Sequence, residues 1–206
     1  MNVPEIKDSD QALRLFSLVL AAGRSERFGS PKQLARYRGQ SLLRRASELA
    51  AAVSGSDKLL VIGADWQLMI DEYKSGDPPL NAFVVLNEDF STGMAGSIVC
   101  GVRSIMPVAD AVLIMLADQP LITAEHLLHL KEEWQSSVSS IVASEFAGIS
   151  GPPVIFPADF FSSLLSLQGD QGARKVIEEH KASVMGVPFA DAASDVDTPG
   201  DLRQLH

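Results

Sequence analysis

Two continuous runs, the mostly apolar Leu13–Ala22 and the wholly apolar Ala111–Ala117, constrain this fold most. A strand with one face in water alternates apolar and polar residues, whereas a run that is apolar throughout needs cover on both faces. Between them lies a segment of another period. From Ser41 to Val53, the residues Leu42, Leu43, Ala46, Leu49, Ala50 and Val53 recur at helical spacing, and Ser41 is placed to cap the first turn. Further strands are predicted at Lys58–Gly63, Phe83–Leu86, Ser140–Ser144, Val154–Phe156 and Ser183–Val187. Helices are predicted at Trp66–Tyr73, Ala95–Ile105, Thr123–Gln135, Ala158–Leu167 and Gly172–His180. Strands alternating with helices make an α/β fold, a mostly parallel sheet between two helical layers. Phe146–Gly151 is the expected place of an antiparallel excursion. Ligands of such sheets bind beyond the carboxyl ends of the strands.

A chain of 206 residues suits one domain of the usual ~100–200 residues. No Pro-, Gly- or Ser-rich linker divides it, so 1–206 reads as a single domain with 1–12 as a flexible tail. Seventeen basic residues against 26 acidic ones leave a net charge of −9, which argues against nucleic-acid or anionic-membrane binding. The lone Cys100, among Ile98, Val99 and Val102, reads as a small core residue and requires no oxidising compartment. The first residues lack the basic and apolar regions of a signal peptide, and no apolar run approaches the ~20 residues of a membrane span. A cytoplasmic location is therefore expected.

The charge is unevenly spread. Arg24, Arg27, Lys32, Arg36, Arg38, Arg44 and Arg45 face a single acid, Glu26, across Arg24–Arg45, for a local charge of +6. The remainder carries −15, so a small anion is expected at the basic island. Its first part follows the first strand directly, as Leu20-Ala21-Ala22-Gly23-Arg24-Ser25 and on to Lys32. Small side chains at Ala21, Ala22 and Gly23 let a ligand approach the backbone, whose free N–H groups hold phosphate. Arg24, Arg27 and Lys32 add the fixed charge a polyphosphate needs. The loop has neither a Walker A frame nor G-x-G-x-x-G, which disfavours a P-loop enzyme and a dinucleotide-dependent dehydrogenase. Arg36, Arg38, Arg44 and Arg45 are assigned to the following loop and helix surface.

Asp118 ends the most apolar strand, before Gln119 and Pro120. A carboxylate there, beside a phosphate loop, suits Mg²⁺, which takes one or two carboxylates together with phosphate and water. A second carboxylate is expected from Asp195 or Asp197, which share a side of an extended segment, so spacing does not choose between them. Thr198-Pro199-Gly200-Asp201 reads as a capped helix start. His126 and His129 lie one helical turn apart without the partners of a zinc set and are assigned to a solvated face. No Ser/His/Asp or Cys/His nucleophilic set is apparent.

The pattern L-A-A-G-x-S-x-R-x-G-x-x-K at Leu20–Lys32 resembles the signature loop of the MobA-like nucleotidyltransferases, and further segments extend the likeness over nearly the whole chain. Gly93-Met94-Ala95-Gly96-Ser97-Ile98 resembles a family helix start, Leu116–Pro120 its metal-binding turn, and Asp195–Pro199 its C-terminal acidic turn. Gly151–Val154 and Gly169–Arg174 resemble segments that face the second substrate. The likeness implies a Rossmann-like three-layer nucleotidyltransferase fold. It also implies a nucleotide site made of Leu20, Ala21, Ala22, Gly23, Arg24, Ser25, Lys32, Gly93 and Ser97, with Ser97 on the base. The implied catalytic groups are Arg24, Arg27, Lys32 and Asp118, with Mg²⁺ on Asp118 and Asp197. The second substrate would meet Gly151, Pro153, Gly169, Asp170 and Arg174. Within the family the chain is most similar to the molybdenum cofactor cytidylyltransferases, because the guanylyltransferase branch usually shows Gly-Gly where Ala21-Ala22 stands. That branch implies CTP and a phosphorylated pterin as substrates and a molybdoenzyme as partner. A GTP-using guanylyltransferase, a sugar- or polyol-phosphate nucleotidyltransferase and a non-catalytic cofactor-delivery protein are the alternatives.

Overall fold

The computed structural model describes residues 13–75 and 80–205, so the expected tail at 1–12 lies outside the described residues. The strands are β1 (Leu15–Ala21), β2 (Arg36–Tyr37), β3 (Gln40–Ser41), β4 (Lys58–Ile62), β5 (Phe83–Leu86), β6 (Ala111–Leu116), β7 (Ile141–Phe146), β8 (Ile149–Pro157) and β9 (Val184–Pro188). The helices are α1 (Leu42–Ser54), α2 (Trp66–Ser75), α3 (Met94–Ile105), α4 (Ala124–Ser136), α5 (Phe161–Leu165), α6 (Ala173–Glu179) and α7 (Pro199–Gln204). Seven strands form one sheet in the order β5-β4-β1-β6-β8-β7-β9. Within it, β8 alone runs against its neighbours, antiparallel to both β6 and β7. The excursion therefore falls where the Phe146–Gly151 turn was expected, and the sheet is mostly parallel.

The two apolar runs occupy the central strands. Every residue of β1 is buried, with Val19 and Ala21 facing one layer and Leu18 and Leu20 the other. The first layer holds Leu43 of α1 and Leu127 and Trp134 of α4. The second holds Ile98 and Val102 of α3, Leu164 of α5 and Val176 of α6. Removing a fully buried leucine such as Leu18 would cost about 2–5 kcal/mol in such a core. Ser41 caps α1 as its position predicts, accepting from the Arg44 N–H at 3.2 Å.

Several local expectations are corrected by tertiary contacts. The predicted helix Ala158–Leu167 divides into a 3-10 turn, Ala158–Phe160, and the short α5, with the Ala158 N–H donating to the Asp110 carbonyl as β8 ends. Strand β8 begins earlier than Val154, since the register shift opposite Ala143/Ser144 accommodates Gly151-Pro152-Pro153. The β2–β3 ribbon, too short for any periodic signal, was not predicted. Cys100 is half-exposed on the outer side of α3 because Ile98, Val102 and Ile105 take the inward positions. His126 is buried, not solvated: its ring stacks on Phe189 at 4.0 Å, and Nε2 lies 2.7 Å from Ser144 Oγ. Arg45 is no simple surface cation either. It ties α1 to the turn after β6, donating to the Pro120 carbonyl at 2.7 Å and the Ile122 carbonyl at 3.2 Å.

No helix among the described residues is long and apolar enough to cross a membrane.

Candidate active site

The carboxyl ends of β1, β4 and β6 meet at one edge of the sheet, where small residues let neighbouring segments pack closely. Ala22 is buried where β1 ends, and a Cβ on Gly63 would fall 2.6 Å from Phe90 Cβ and 2.9 Å from Ala22 Cβ. Beyond these ends opens a cavity of about 580 Å³, bounded by the loop after β1, the start of α3 and the Asp118 turn.

The loop after β1 is held by a side chain that its own pattern does not announce. Gln33 is buried, and its amide donates to the carbonyls of Ala21 and Gly23, both at 3.0 Å. Its Oε1 accepts from Ser25 Oγ at 3.2 Å, and that hydroxyl accepts from the Lys32 N–H at 3.1 Å. Ser25 occupies the left-handed region at φ +56°, a strained position that these bonds hold. With the Ala21 and Gly23 carbonyls turned toward Gln33, Gly23 stands clear: a Cβ there would meet no atom within 4 Å.

The charged groups converge from distant parts of the chain. Lys32 Nζ lies 2.5 Å from Asp118 Oδ2 and 3.2 Å from Asp197 Oδ1. Arg27 reaches Asp197 Oδ2 at 2.9 Å. Burial works against the Lys32 ammonium, but the two carboxylates outweigh it and hold the amine above the usual lysine range. Asp197 reaches the cavity because its neighbour Val196 is buried with Tyr37 and Leu42, and the Val196 N–H donates to the Asp118 carbonyl at 2.9 Å. Asp195 flanks the same centre. Desolvation among the surrounding protein atoms raises its carboxyl, and the charge of Asp118 adds to the effect. Behind Asp197, α7 starts with the predicted capping box between Thr198 and Asp201.

Asp118 Oδ1 is buried without a hydrogen-bond partner. Among the described residues no three His, Cys, Asp or Glu side chains stand close enough to hold a metal by themselves. An orphaned carboxylate oxygen beside a second aspartate fits a hard divalent cation that takes its remaining ligands from phosphate and water. Asp118 and Asp197 would hold it.

The opposite wall is the start of α3. Gly93 adopts φ +113°, and a Cβ there would run into the Gly169 backbone and Asp170 Oδ1. The Ala95 N–H donates to the Gly169 carbonyl at 3.1 Å, so the 169–170 turn is seated on this helix start. Ser97 is buried one turn into α3, too far in to cap it, and its Oγ accepts from Asn87 Nδ2 at 3.0 Å. Its own O–H is thereby left to donate elsewhere.

The cavity thus brings together Leu20, Ala21, Ala22, Gly23, Ser25, Arg27, Lys32, Gly93, Ser97, Asp118, Asp170 and Asp197. Arg24 stands outside the lining, its guanidinium 5.3 Å above the Phe90 ring. Arg174 lines a separate concavity of about 340 Å³ with Glu145 and Lys181, close to Gly151. Pro153 is buried, its carbonyl accepting from Ser144 Oγ at 2.8 Å. A link between the two regions runs through Gln119, whose amide donates to the Ala192 carbonyl at 3.0 Å and the Pro152 carbonyl at 3.4 Å. Gln33, Asn87, Phe90 and Gln119 were not singled out from sequence. Only the direct adjacency of Gln33 to Lys32, and of Gln119 to Asp118, could have pointed to any of them.

Residues 17–184 match the MobA-like NTP transferase domain. Over 202 residues the chain is 28% identical to the purine catabolism protein PucB of Bacillus subtilis, covering 93% of this chain and 95% of that one. It is also 28% identical over 202 residues to the nicotine blue oxidoreductase of Paenarthrobacter nicotinovorans, covering 91% and 94%. The crystal structure of Rv0371c from Mycobacterium tuberculosis H37Rv superposes with a TM-score of 0.78 at 26% identity, covering 95% of this chain and 98% of that chain. Since the domain match runs from β1 to the first residue of β9 and takes in the loop after β1 and Asp118, the chain belongs to the MobA-like NTP transferase family of nucleotidyltransferases.

Proposed function

We propose that this protein, acting as a single cytoplasmic domain, transfers CMP from CTP to the terminal phosphate of the pterin molybdenum cofactor. A phosphate oxygen of the acceptor attacks the α-phosphorus, the new P–O bond forms as the bond to the bridging oxygen of the β-phosphate breaks, and pyrophosphate leaves. The attacking phosphate is already an anion, so no side chain has to remove a proton. The protein's share is orientation and charge neutralisation. The backbone at Ala22–Gly23 and the side chains of Lys32 and Arg27 would receive the triphosphate, with Arg24 at the rim. Ser97, its acceptor side taken by Asn87, would donate to the base. Gly169 and Asp170 would receive the acceptor beside the helix start, and Gly151, Pro153 and Arg174 its more distant parts. Mg²⁺, when bound by Asp118 and Asp197, supplies positive charge to the reacting phosphates.

The observation that carries this reading is the convergence of Lys32, Arg27, Asp118 and Asp197 on a loop whose Gly23 backbone is unobstructed. Ala21-Ala22 and the full-length family likeness support CTP and the pterin acceptor within it. The product would pass to a molybdoenzyme, with neither nucleic acid nor membrane involved. Pyrophosphate release, measured with molybdenum cofactor, Mg²⁺ and each nucleoside triphosphate in turn, tests it. CTP should be turned over fastest, and Asp118→Ala should lower the rate by about 10³-fold or more with the melting temperature retained. Equal rates with GTP would refute the CTP assignment. Nucleotide binding without pyrophosphate would favour the delivery reading.

A further inference from the structure

The two carboxylates proposed to hold a divalent cation are already neutralised by the protein. Asp118 and Asp197 together offer four oxygens. Lys32 Nζ takes one from each, and Arg27 takes the second oxygen of Asp197. Asp118 Oδ1 alone has no partner. Two cationic side chains thus already engage both carboxylates in the ligand-free protein, with Asp195 flanking the same centre.

The Lys32 side chain is only 14% exposed, so its ammonium has little water to turn to if a metal displaces it. A divalent cation arriving by itself would meet Lys32 at close range, in surroundings that screen like charges poorly. A nucleoside triphosphate changes this balance. Its β- and γ-phosphate oxygens are acceptors for Lys32 and Arg27, and their charge offsets the metal's.

Resting on the reading of this cavity as a nucleotidyl-transfer site, we propose that Lys32 is an internal counter-cation that makes metal binding conditional on the triphosphate. In the free protein it occupies the carboxylates. The triphosphate draws it off, and the carboxylates then accept the metal. Metal and nucleotide consequently bind as a unit, and a reciprocal coupling links the two affinities. Lys32 would thus both hold phosphate and guard the empty metal site. Arg27, 73% exposed, contributes less, since water screens it and can replace its partner.

The test is direct titration of the full chain with Mn²⁺, without nucleotide, following free Mn²⁺ by electron paramagnetic resonance. Lys32→Gln should bind Mn²⁺ about tenfold or more tightly than the wild type, whereas Lys32→Arg, which keeps the charge, should stay near the wild type. Coincident titrations of wild type and Lys32→Gln would overturn the proposal. A second measurement needs no variant: the Lys32 side-chain resonance in lysine-labelled protein. It should shift on adding CTP in the presence of a chelator and stay in place with millimolar Mg²⁺ alone. A shift with Mg²⁺ alone, or none with CTP, would equally overturn it. Pyrophosphate assays on the wild type separate the two readings. Turnover with coincident Mn²⁺ titrations removes this inference and leaves the proposed function. Tighter Mn²⁺ binding by Lys32→Gln without turnover of any nucleotide removes the transfer reading and leaves the lysine–metal competition.

Discussion

The cavity is bounded by two glycines that are alike in sequence and opposite in surroundings. Gly23, after β1, faces open space, and a Cβ there would touch nothing within 4 Å. Gly93, before α3, has φ +113° and is closed against the Gly169–Asp170 turn. The first position borders open space in the cavity, whereas the second is small because another segment packs against it. The loops around them are braced to match. The Gly23 loop hangs on the amide of Gln33, which leaves its rim unobstructed, while Gly93 is locked by backbone contact and by the Ala95–Gly169 hydrogen bond. One side of the cavity is therefore open and the other closed by packing.

Substitutions can break this contrast. Gly93→Ala should have the largest effect on folding, at least about 3 kcal/mol, because left-handed strain and overlap with the Gly169 backbone add together. Chemical denaturation measures it, and a change below about 1 kcal/mol would show that the 169–170 turn moves aside freely. Gln33→Ala should cost about 2–3 kcal/mol, since it orphans the carbonyls of Ala21 and Gly23. It should also weaken nucleotide binding, because its amide holds the loop backbone that borders the cavity. Unaltered binding would mean that the loop is braced by other contacts. Gly23→Ala sharpens the comparison from the other side. Its melting temperature should stay at the wild-type value while turnover falls about tenfold, as a methyl group fills the approach to the backbone. Equal loss of stability at Gly23 and Gly93 would erase the distinction.

A further expected effect, felt only on acidification, lies away from both glycines. Burial, with the charge of His129 second, lowers the His126 pKa from 6.5 to about 4. The folded state thus resists a proton that the unfolded chain accepts. Stability is full above pH 6.5 and is lost as pH falls towards 4, at about 1 kcal/mol per pH unit. His126→Phe should flatten that part of the pH–stability curve. A slope unchanged by the substitution would assign the loss to other groups.

How far the site was legible in the sequence follows from the range of the forces involved. The loop's small residues and cations were visible because they are contiguous and set apart by composition. Asp118 was visible because an acid ending an apolar strand is conspicuous. The choice of Asp197 came from family likeness, and spacing alone left it level with Asp195. Both carboxylates do flank Asp118, because the burial of Val196 between them turns its two neighbours the same way. Beyond the adjacency of Gln33 to Lys32 and of Gln119 to Asp118, Gln33, Asn87 and Gln119 carry no local signal, since a buried amide declares itself only through the carbonyls or hydroxyls it meets across the fold. The same is true of His126, whose burial depends on Phe189, 63 residues later in the chain.

By itself the sequence determined the layers of this protein. Continuous apolar runs must be covered on both faces, and the helical periods between them supply the cover. It also determined that a loop of small residues and cations stands where the first strand ends. Only the tertiary structure decided which charges meet there. Lys32, Asp118 and Asp197 are far apart along the chain and come within hydrogen-bonding distance only because β6 pairs beside β1 and the Val196 turn docks on the Asp118 carbonyl. Burial patterns need only composition and period, whereas the balance of charge in a cavity depends on distances that folding alone creates.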